Sequence, residues 1–363
     1  MIDRVPFREV DWVLIALLIV NSVFGVFLIY SASHYLAGAF YLKQVVWVII
    51  SFAILFLSLT VDYKVLMAFS FSFYGLLILI LLALLVFGKA ISGAKSWVRI
   101  AFLGGQPSEL AKIAVLLVLA QIFSDFKRSY LTFAFGLLSG LFALMPIGLI
   151  ALQPDLGTAI SFFPIWLGSL FLAGLNRKTL AVILILSFVL GFAGWNFLLK
   201  DYQKKRLTSL IKPGQDPRGS GYHVLQSKIA IGSGGLLGKG FKKGTQSQLK
   251  FLPARHTDFI MSVLGEEFGF LGMIAIFFVY FLFLARIFNS VGKSRDRAGM
   301  YIVFMVGCMI TFEFLVNVLM IVGLFPVTGI PIPLLSYGGS SLLTNFIAVG
   351  LVLNVKMRRF VNV

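Results

Sequence analysis

Residues 12–33 read WVLIALLIVNSVFGVFLIYSAS, a run in which no side chain carries a formal charge. A helix needs about 20 apolar residues to cross roughly 30 Å of hydrocarbon, so this run is long enough to span a bilayer. Its apolar core is too long for the cleaved part of a signal peptide, and no small-residue cleavage site follows at the right distance. The run therefore predicts a membrane anchor that stays in the protein.

Further runs of this kind follow, and the chain has the composition of a polytopic membrane protein. Of its 363 residues, 59% are hydrophobic and 12% are charged, and the mean hydropathy is +0.98. These values exclude a soluble globular domain. We predict an all-α fold, a single domain over residues 1–363 with about ten transmembrane helices. They lie near residues 12–33, 42–60, 65–87, 108–123, 130–150, 156–173, 179–199, 259–285, 299–323 and 340–356.

The distribution of Lys and Arg predicts the orientation of these helices. The N-terminus, alternate loops and C-terminus hold 14 basic residues, whereas the short loops on the other side hold 4. Because short cytoplasmic loops retain basic residues, both termini are expected in the cytoplasm. Residues 200–258 then form a large extracytoplasmic loop between helices 7 and 8, with an interfacial helix near residues 222–231.

The predicted outer loop is basic, with 12 basic and 3 acidic residues. Topology does not require such a surface outside, so it favours an anionic partner such as a lipid phosphate. The net charge of +17 is dispersed over many membrane loops, and this dispersion argues against a nucleic-acid partner.

The stretch QPSELAK opens the fourth predicted helix. Glu109 and Lys112 are three residues apart, so they share one helix face and can neutralise each other. An ionisable group in hydrocarbon is costly unless it is paired or hydrated. Two interpretations remain open: a structural ion pair, or a pair that lines a polar cavity.

The stretches QPDLGT and LPARHTDFIM place Asp155 and Asp258 at the starts of the sixth and eighth predicted helices. Free amides of a first helical turn favour a carboxylate, so capping is one interpretation of both residues, with Thr257 as a second candidate cap. Asp258, however, follows Arg255 and His256, which a cap does not need. The alternative is a functional site.

These groups and the loop PIPLLSYGGSS (residues 331–341) all fall at the predicted extracytoplasmic ends of helices. Independent caps would be divided between the two sides of the membrane, so their convergence favours one outward-facing polar site. Glu313, one turn from Asn317, is interpreted as packing or a buried polar contact, and the roles of Glu266 and Glu267 stay open. The candidate site residues are Glu109, Lys112, Asp155, Arg255, His256, Asp258, Ser336, Gly338 and Gly339.

The glycine-rich stretch GSGGLLGKG (residues 232–240) does not form a phosphate-binding P-loop. That motif needs Gly where Ser233 stands and Ser or Thr where Gly240 stands. HExxH and CxxC metal motifs are missing from the sequence, and the single Cys308 excludes an intramolecular disulfide. The sequence therefore carries no metal-binding signature of these kinds.

Six stretches together resemble the SEDS (shape, elongation, division and sporulation) glycosyltransferases. They are QPSELAKI, QPDLGTA, GYHVLQSKIAIGSGGLLGKG, GTQSQLKFLPARHTDFIM, VLGEEFGFLG and PVTGIPIPLLSYGGSS. The similarity covers nearly the whole chain in the family's order, and the run before Asp258 is closer to the elongation branch, RodA, than to the division branch, FtsW. Met261 departs from the usual Phe, a conservative change in packing.

The resemblance implies a peptidoglycan glycosyltransferase that polymerises lipid II at the outer face of the bacterial cytoplasmic membrane during cell elongation. It implies a class B penicillin-binding protein and other elongation-machinery membrane proteins as partners, and no organic cofactor. Match to the family's HTDF motif implies that Asp258 is catalytic. The SELAK pair Glu109 and Lys112 and the QPD residue Asp155 are implied in activity or in the integrity of a central cavity.

A single inverting displacement fits this chemistry. The acceptor hydroxyl has a pKa far above 7, so Asp258 is predicted to take its proton as general base, without a covalent glycosyl-enzyme. Cations would stabilise the departing pyrophosphate, with Arg255 nearest and Lys112 and lysines of the outer loop next, or a Mg²⁺ or Mn²⁺ ion. The alternatives are a lipid-linked precursor flippase, which needs a polar route to the cytoplasmic face, and a non-catalytic scaffold of the elongation machinery.

Overall fold

A computed structural model describes residues 9–34, 38–88, 96, 98–100, 103–126, 133–174, 179–183, 201–211 and 219–360, with single positions between 185 and 196. In these residues the chain is helical apart from turns, connecting segments and one antiparallel hairpin, in which Val98 pairs with Gly105. This confirms the all-α prediction. In chain order the elements are α1 (Trp12–Ser33), α2 (Phe40–Thr60), α3 (Tyr63–Ala68), α4 (Ser70–Phe87), β1 (Val98–Ile100), β2 (Leu103–Gly105), α5 (Pro107–Asp125), α6 (Phe133–Leu152), α7 (Leu156–Ile160), α8 (Phe163–Leu172), α9 (Asp201–Ile211), α10 (Ser220–Gly234), α11 (Thr245–Gln248), α12 (Ile260–Val291), α13 (Arg297–Ile321), α14 (Gly339–Met357) and a terminal 3₁₀ turn (Arg358–Phe360).

Eight helices in the described part of the chain are long and apolar enough to cross a membrane: α1, α2, α4, α5, α6, α12, α13 and α14. They confirm eight of the ten predicted runs. Helix α12 continues beyond its predicted end to Val291 and is kinked at Gly269, whose backbone is non-helical with a φ of +65°. The seventh predicted run, 179–199, lies largely outside the described residues, although residues 179–183 are helical. The total of ten stays a prediction.

The sixth predicted run is present as the apolar helical stretch Leu156–Leu172, which is interrupted rather than continuous. It forms α7 and α8, separated by a break at Ser161 and Phe162. Pro164 stands in the first turn of α8. Because proline lacks an amide proton and its ring clashes with the preceding turn, it starts helices more readily than it continues them.

The bundle has enclosed helices and outer helices. Helices α5 and α14 are buried along most of their length, whereas α2, α4 and α12 expose apolar side chains. A helix that is apolar all round is stable only inside a protein or against lipid. The enclosed helices therefore form the core, and the outer helices face the hydrocarbon.

One end of the bundle is fastened by a buried carboxylate. Asp11, before α1, accepts hydrogen bonds from Arg286 Nε at 2.8 Å and Nη2 at 3.0 Å, and one from Lys356 Nζ. Although burial raises it, the pKa of Asp11 lies below its ordinary value because these cations stabilise the carboxylate. These contacts place the start of α1 and the ends of α12 and α14 at one end, called here the termini end. The opposite end, where α12 begins, is called the site end.

The segment predicted as a long loop, 200–258, is helical over much of its described length. It contains α9, α10 and α11. A helix is present at the predicted residues 222–231 as α10, which packs along α12; its interfacial position stays a prediction.

Close packing of α1 against the loop at residues 333–335 gives a first testable prediction. A Cβ at Gly25 would lie 2.6 Å from the Leu334 carbonyl oxygen and 2.9 Å from Leu335 Cα. We expect Gly25→Ala to lower the free energy of unfolding by about 1–3 kcal/mol, because the backbone must move apart. Thermal unfolding in mild detergent measures the effect.

The matched control is Gly75→Ala in α4, where an added Cβ meets nothing within 4 Å. This change should be neutral or slightly stabilising, since alanine favours a helix over glycine. Equal stability of the two variants would contradict the close approach of α1 to the loop.

Candidate active site

The turn of residues 253–259 carries Asp258 to the start of α12. The helix begins at Ile260 after Phe259, and no side chain caps it. The capping interpretation of Asp258 and Thr257 was therefore wrong: the Thr257 hydroxyl donates to the Ala254 carbonyl at 3.2 Å instead. The Asp258 carboxylate is not used to satisfy the amides of the helix.

Two residues of the loop 331–341 bond to the backbone of this turn. Ser336 Oγ donates to the Thr257 carbonyl at 2.6 Å, and the Tyr337 amide donates to the His256 carbonyl at 2.9 Å. These carbonyls belong to the two residues that precede Asp258 in the chain. The loop therefore fixes the backbone direction from which the carboxylate projects.

A third bond comes from α13. Asn317 Nδ2 donates to the Asp258 carbonyl at 3.0 Å and to the Ile330 carbonyl at 2.8 Å. Asn317 is fully buried, so an unpaired amide there would be costly. Sequence reasoning had linked Asn317 with Glu313 but missed its contact with the Asp258 backbone.

Helix α2 holds the loop in place. The Gln44 side chain donates to the Ser336 carbonyl at 3.2 Å and accepts from the Gly338 amide at 3.3 Å. A Cβ at Gly339 would fall 2.0 Å from the Trp47 ring. Gly338 and Gly339 thus belong to the support of the site, and Gly339 permits the loop to lie directly on α2.

The Asp258 carboxyl group is half-buried, and burial raises its pKa above the ordinary value. The Thr257 hydroxyl and the positive charge of Arg206 act in the opposite direction. A carboxylate with a raised pKa is a stronger proton acceptor than an exposed one, provided that it is ionised. Arg206, on α9, is a charged neighbour of Asp258 that sequence reasoning did not identify.

The Arg255 side chain points to backbone atoms. Its Nε donates to the Ala32 carbonyl at 2.6 Å, and its Nη1 donates to the Ser247 carbonyl. The residue is buried, and burial lowers its pKa. These contacts hold the turn against α1, and among the described residues the Asp258 carboxylate is not a hydrogen-bond partner of Arg255.

The His256 ring packs in a cluster with two aromatic rings: its centroid is 4.6 Å from that of Phe40 and 5.7 Å from that of Tyr337, and the Phe40 and Tyr337 centroids are 5.2 Å apart. Burial, and then the positive charge of Arg255, lowers its pKa. His256 is therefore neutral near pH 7.

Two further carboxylates, whose roles the sequence left open, organise the chain that leads to the turn. Glu266 accepts from the amides of Gln246 at 2.8 Å and Ser247 at 3.0 Å, and from Lys239 Nζ at 3.0 Å. Glu267 accepts from Ser31 Oγ at 2.6 Å. Since Ser247 in turn accepts from the turn's arginine, α12 supports the site through α11.

A buried ionic cluster lies deeper in the bundle. Lys112 Nζ is 2.9 Å from Glu109 Oε2 and 2.5 Å from Glu313 Oε1, and all three side chains are nearly inaccessible to solvent. The predicted Glu109–Lys112 pairing is confirmed. Glu313, interpreted as packing or a buried polar contact, is the second carboxylate bound to this lysine.

Asp155 caps α7, as the capping interpretation predicted. Its Oδ1 accepts from the Thr158 amide at 3.2 Å, and its Oδ2 accepts from Gln106 Nε2 at 2.6 Å. The second bond joins α7 to the residue that precedes α5.

The connecting segment of residues 322–332 lies between the two aspartates. A Cβ at Gly157, in the helix that Asp155 caps, would fall 2.2 Å from the Thr328 carbonyl oxygen. A Cβ at Gly329 would lie 3.8 Å from Asp258 Oδ2. The structure thus brings the candidate residues to one end of the bundle as three adjacent clusters: the turn with its loop, the lysine with two glutamates, and the cap of α7.

Comparisons with known proteins agree with this architecture. The family model FTSW_RODA_SPOVE, described as "Cell cycle protein", matches residues 11–360. The peptidoglycan glycosyltransferase MrdB of Escherichia coli (strain K12) is 40% identical over 297 residues, which cover 79% of this chain and 77% of that protein. The probable peptidoglycan glycosyltransferase FtsW of Trichlorobacter lovleyi is 34% identical over 371 residues, covering 97% and 95%. The peptidoglycan glycosyltransferase RodA of Treponema pallidum (strain Nichols) is 32% identical over 429 residues, covering 97% of this chain and 98% of that protein. Because relatives named FtsW and RodA both occur, the closer resemblance to RodA stays a prediction.

The fold has solved counterparts. A chain in a structure described as a peptidoglycan synthase complex that coordinates polymerization and crosslinking aligns with a TM-score of 0.83 and 30% identity, covering 97% of this chain and 99% of that one. The family match spans residues 11–360, and all the described helices of the multi-pass architecture fall within that range. This chain belongs to the FtsW/RodA/SpoVE family.

Proposed function

We propose that this protein is a peptidoglycan glycosyltransferase that polymerises lipid II during cell elongation, together with a class B penicillin-binding protein. One observation carries the proposal: a half-buried Asp258 carboxyl group with a raised pKa, in a turn whose backbone is fixed from α13 and from the loop 331–341. Family membership and the names of the relatives support it. Other elongation-machinery membrane proteins complete the expected partners.

In this mechanism the Asp258 carboxylate accepts the proton of the acceptor sugar hydroxyl as that oxygen bonds to the donor's anomeric carbon. The bond from that carbon to the diphosphate breaks in the same displacement, so configuration inverts and no glycosyl-enzyme forms. The bonds to the backbone on both sides of Asp258 hold the base in position. Such positioning lowers the entropic cost of the reaction.

A divalent cation, Mg²⁺ or Mn²⁺, is compatible with the site. The described residues contain no group of three or more His, Cys, Asp or Glu side chains that could hold a metal by themselves. Mg²⁺ is commonly bound by one or two carboxylates together with substrate phosphates. Asp258 would supply the protein ligand, and the bound ion would offset negative charge on the diphosphate.

The site end is proposed to face outward from the bacterial cytoplasmic membrane, with both termini in the cytoplasm. The bias of basic residues in the short loops supports this orientation. The apolar outer surface of the bundle lets the lipid tail of the substrate stay in the bilayer. A cysteine introduced near Asp258 should then react with an impermeant thiol reagent in intact cells, whereas one at the C-terminus should react only after lysis.

The flippase alternative requires a polar route from the site end to the termini end. Beyond Lys112, α5 continues with eight consecutive buried apolar side chains, from Ile113 to Ala120. Over this length, α5 therefore contributes no polar side chain to such a route. The scaffold alternative predicts that the Asp258 carboxylate is dispensable.

Purified chain with its transpeptidase partner, supplied with lipid II in detergent or vesicles, tests the proposal directly. Glycan strands should form and be digested by a muramidase, even when the transpeptidase is blocked by a β-lactam. A matched assay of lipid II movement across vesicles without polymerisation tests the flippase. Transport of lipid II across the vesicle membrane without glycan synthesis would reject the polymerase.

The acid limb of activity provides a pH prediction. Asp258 accepts a proton only when it is ionised, so kcat/KM should fall as pH decreases through its pKa. Because burial raises that pKa, the limb should lie above the ordinary value for aspartate. Initial polymerisation rates across buffered pH values locate it, and a limb at the ordinary value would contradict the role of burial.

A further inference from the structure

Two of the cations first considered for the departing diphosphate, Arg255 and Lys112, are engaged elsewhere. Arg255 donates to the backbone carbonyls of Ala32 and Ser247, and Lys112 lies between two buried carboxylates. A cationic side chain that balances the negative charge of a diphosphate must lie in a cleft that the substrate can enter. Exposed cations near Asp258 at the site end meet this requirement.

A cleft beside the turn carries two such cations. Arg206 comes from α9 and Lys228 from α10, and both side chains are exposed. The remaining lining is apolar apart from one glycine. It consists of Leu210, Val224, Gly323, Phe325, Pro326 and Val327.

The connecting segment 322–332 joins this cleft to Asp258. Arg206 Nη1 donates to the Val327 carbonyl at 3.4 Å, and two residues later Gly329 lies against the Asp258 carboxyl group. The charge of Arg206 also lowers the Asp258 pKa, which independently places it in the electrostatic field of the base. The cleft and the base are therefore neighbours on one segment.

Lys228 lies across the other side of the cleft. A Cβ at Gly323 would be 2.7 Å from both Lys228 Cε and Nζ. Gly323 has a φ of +72°, a conformation that favours glycine. The backbone conformation at Gly323, together with the lack of a Cβ there, leaves room for the Lys228 side chain.

We propose that Arg206 and Lys228 form a subsite for the diphosphate of a polyprenyl-linked sugar, with the apolar wall receiving the first part of its lipid chain. This inference rests on the proposed function and names the group that stabilises its leaving group. Two cations on separate helices match a group with several negative oxygens, and charge-assisted hydrogen bonds to phosphate are strong. The negative charge that grows on the diphosphate as the glycosidic bond breaks is balanced there.

A binding assay on the full chain in nanodiscs tests the subsite, with undecaprenyl diphosphate as the probe. Arg206→Gln and Lys228→Gln should each weaken binding about 10-fold, the effect of losing one charge-assisted bond. The charge-conserving variants Arg206→Lys and Lys228→Arg should retain part of the wild-type affinity that the Gln variants lose. Lys243→Gln removes one charge from an exposed position of the same outer segment, outside the cleft, and should leave binding within about twofold.

Competition distinguishes the possible sources of phosphate. Undecaprenyl monophosphate should compete weakly, because it offers fewer charged oxygens, and phosphatidylglycerol should not compete. If phosphatidylglycerol displaces the probe as well as undecaprenyl diphosphate does, the cleft is a general phospholipid site and the proposal is overturned. Equal binding by the cleft variants and Lys243→Gln also overturns it.

Polymerisation of lipid II separates this proposal from the proposed function. If the wild type makes glycan and the cleft variants match Lys243→Gln in rate and binding, the subsite is rejected and the polymerase stands. If the wild type makes no glycan yet the cleft variants lose diphosphate binding, the polymerase is rejected and the subsite stands. Thermal unfolding of each variant excludes misfolding as the cause.

Discussion

Replacing Asp258 by Asn should lower the rate of glycan synthesis by about 10²–10⁴-fold, the usual contribution of a positioned general base. The amide has nearly the same shape as the carboxylate but cannot accept the proton of the acceptor hydroxyl. The backbone carbonyl of residue 258 still accepts from Asn317, so the turn should keep its conformation. Single-turnover polymerisation of lipid II by the complex with the transpeptidase measures the effect.

A matched control removes a carboxylate of the same type at the termini end. Asp125→Asn lies at the exposed last residue of α5, far from the connecting segment, and should retain wild-type polymerisation. Both variants should unfold at the wild-type temperature and bind the transpeptidase equally. An Asp258→Asn complex that makes glycan at the wild-type rate would remove this residue as the base and favour the scaffold.

Replacing Lys112 by Met should cause the largest loss of stability, about 3–5 kcal/mol in the free energy of unfolding. The ammonium group is bound at 2.9 Å by Glu109 and at 2.5 Å by Glu313 in the interior. Methionine fills a similar volume but leaves two carboxylates in an apolar environment without a cation. Denaturant unfolding in mild detergent, followed by tryptophan fluorescence, measures the change.

An exposed ion pair provides the comparison. Lys64 Nζ is 3.2 Å from Asp296 Oδ2, and 54% of the Lys64 side chain is accessible, so Lys64→Met should cost about 0–1 kcal/mol. Changing both glutamates to Gln in the Lys112→Met background should recover much of the lost stability, because the uncompensated charges are gone. Equal stability of Lys112→Met and Lys64→Met would disprove the structural importance of the buried cluster.

The fold was largely predictable from local sequence. Eight apolar runs became membrane helices because run length and hydropathy are properties of consecutive residues. The pairing of Glu109 with Lys112 was predictable for the same reason, since a spacing of three residues determines a shared helix face. The break between α7 and α8 was missed because apolar composition outweighed the signal of Pro164.

The candidate site was predictable only in part. The sequence identified the turn of residues 253–259 and the loop 331–341. It could not show that Ser336 and Asn317 hold the backbone around Asp258. Nor could it identify Glu313 as the second partner of Lys112, which is 201 residues away in the chain. The position of Arg206 near the base likewise depends on how α9 packs beside the connecting segment.

By itself, therefore, the sequence determined the membrane environment, the helical class and the chemical identity of the residues available at one end of the bundle. Those properties follow from hydrophobicity and charge at neighbouring positions, which act before distant segments meet. Tertiary structure alone decided which cations bind internal carboxylates or carbonyls, which ones line a cleft, and how the carboxylate of Asp258 is presented. These outcomes depend on contacts between residues far apart in the chain, and such contacts form only when the helices pack.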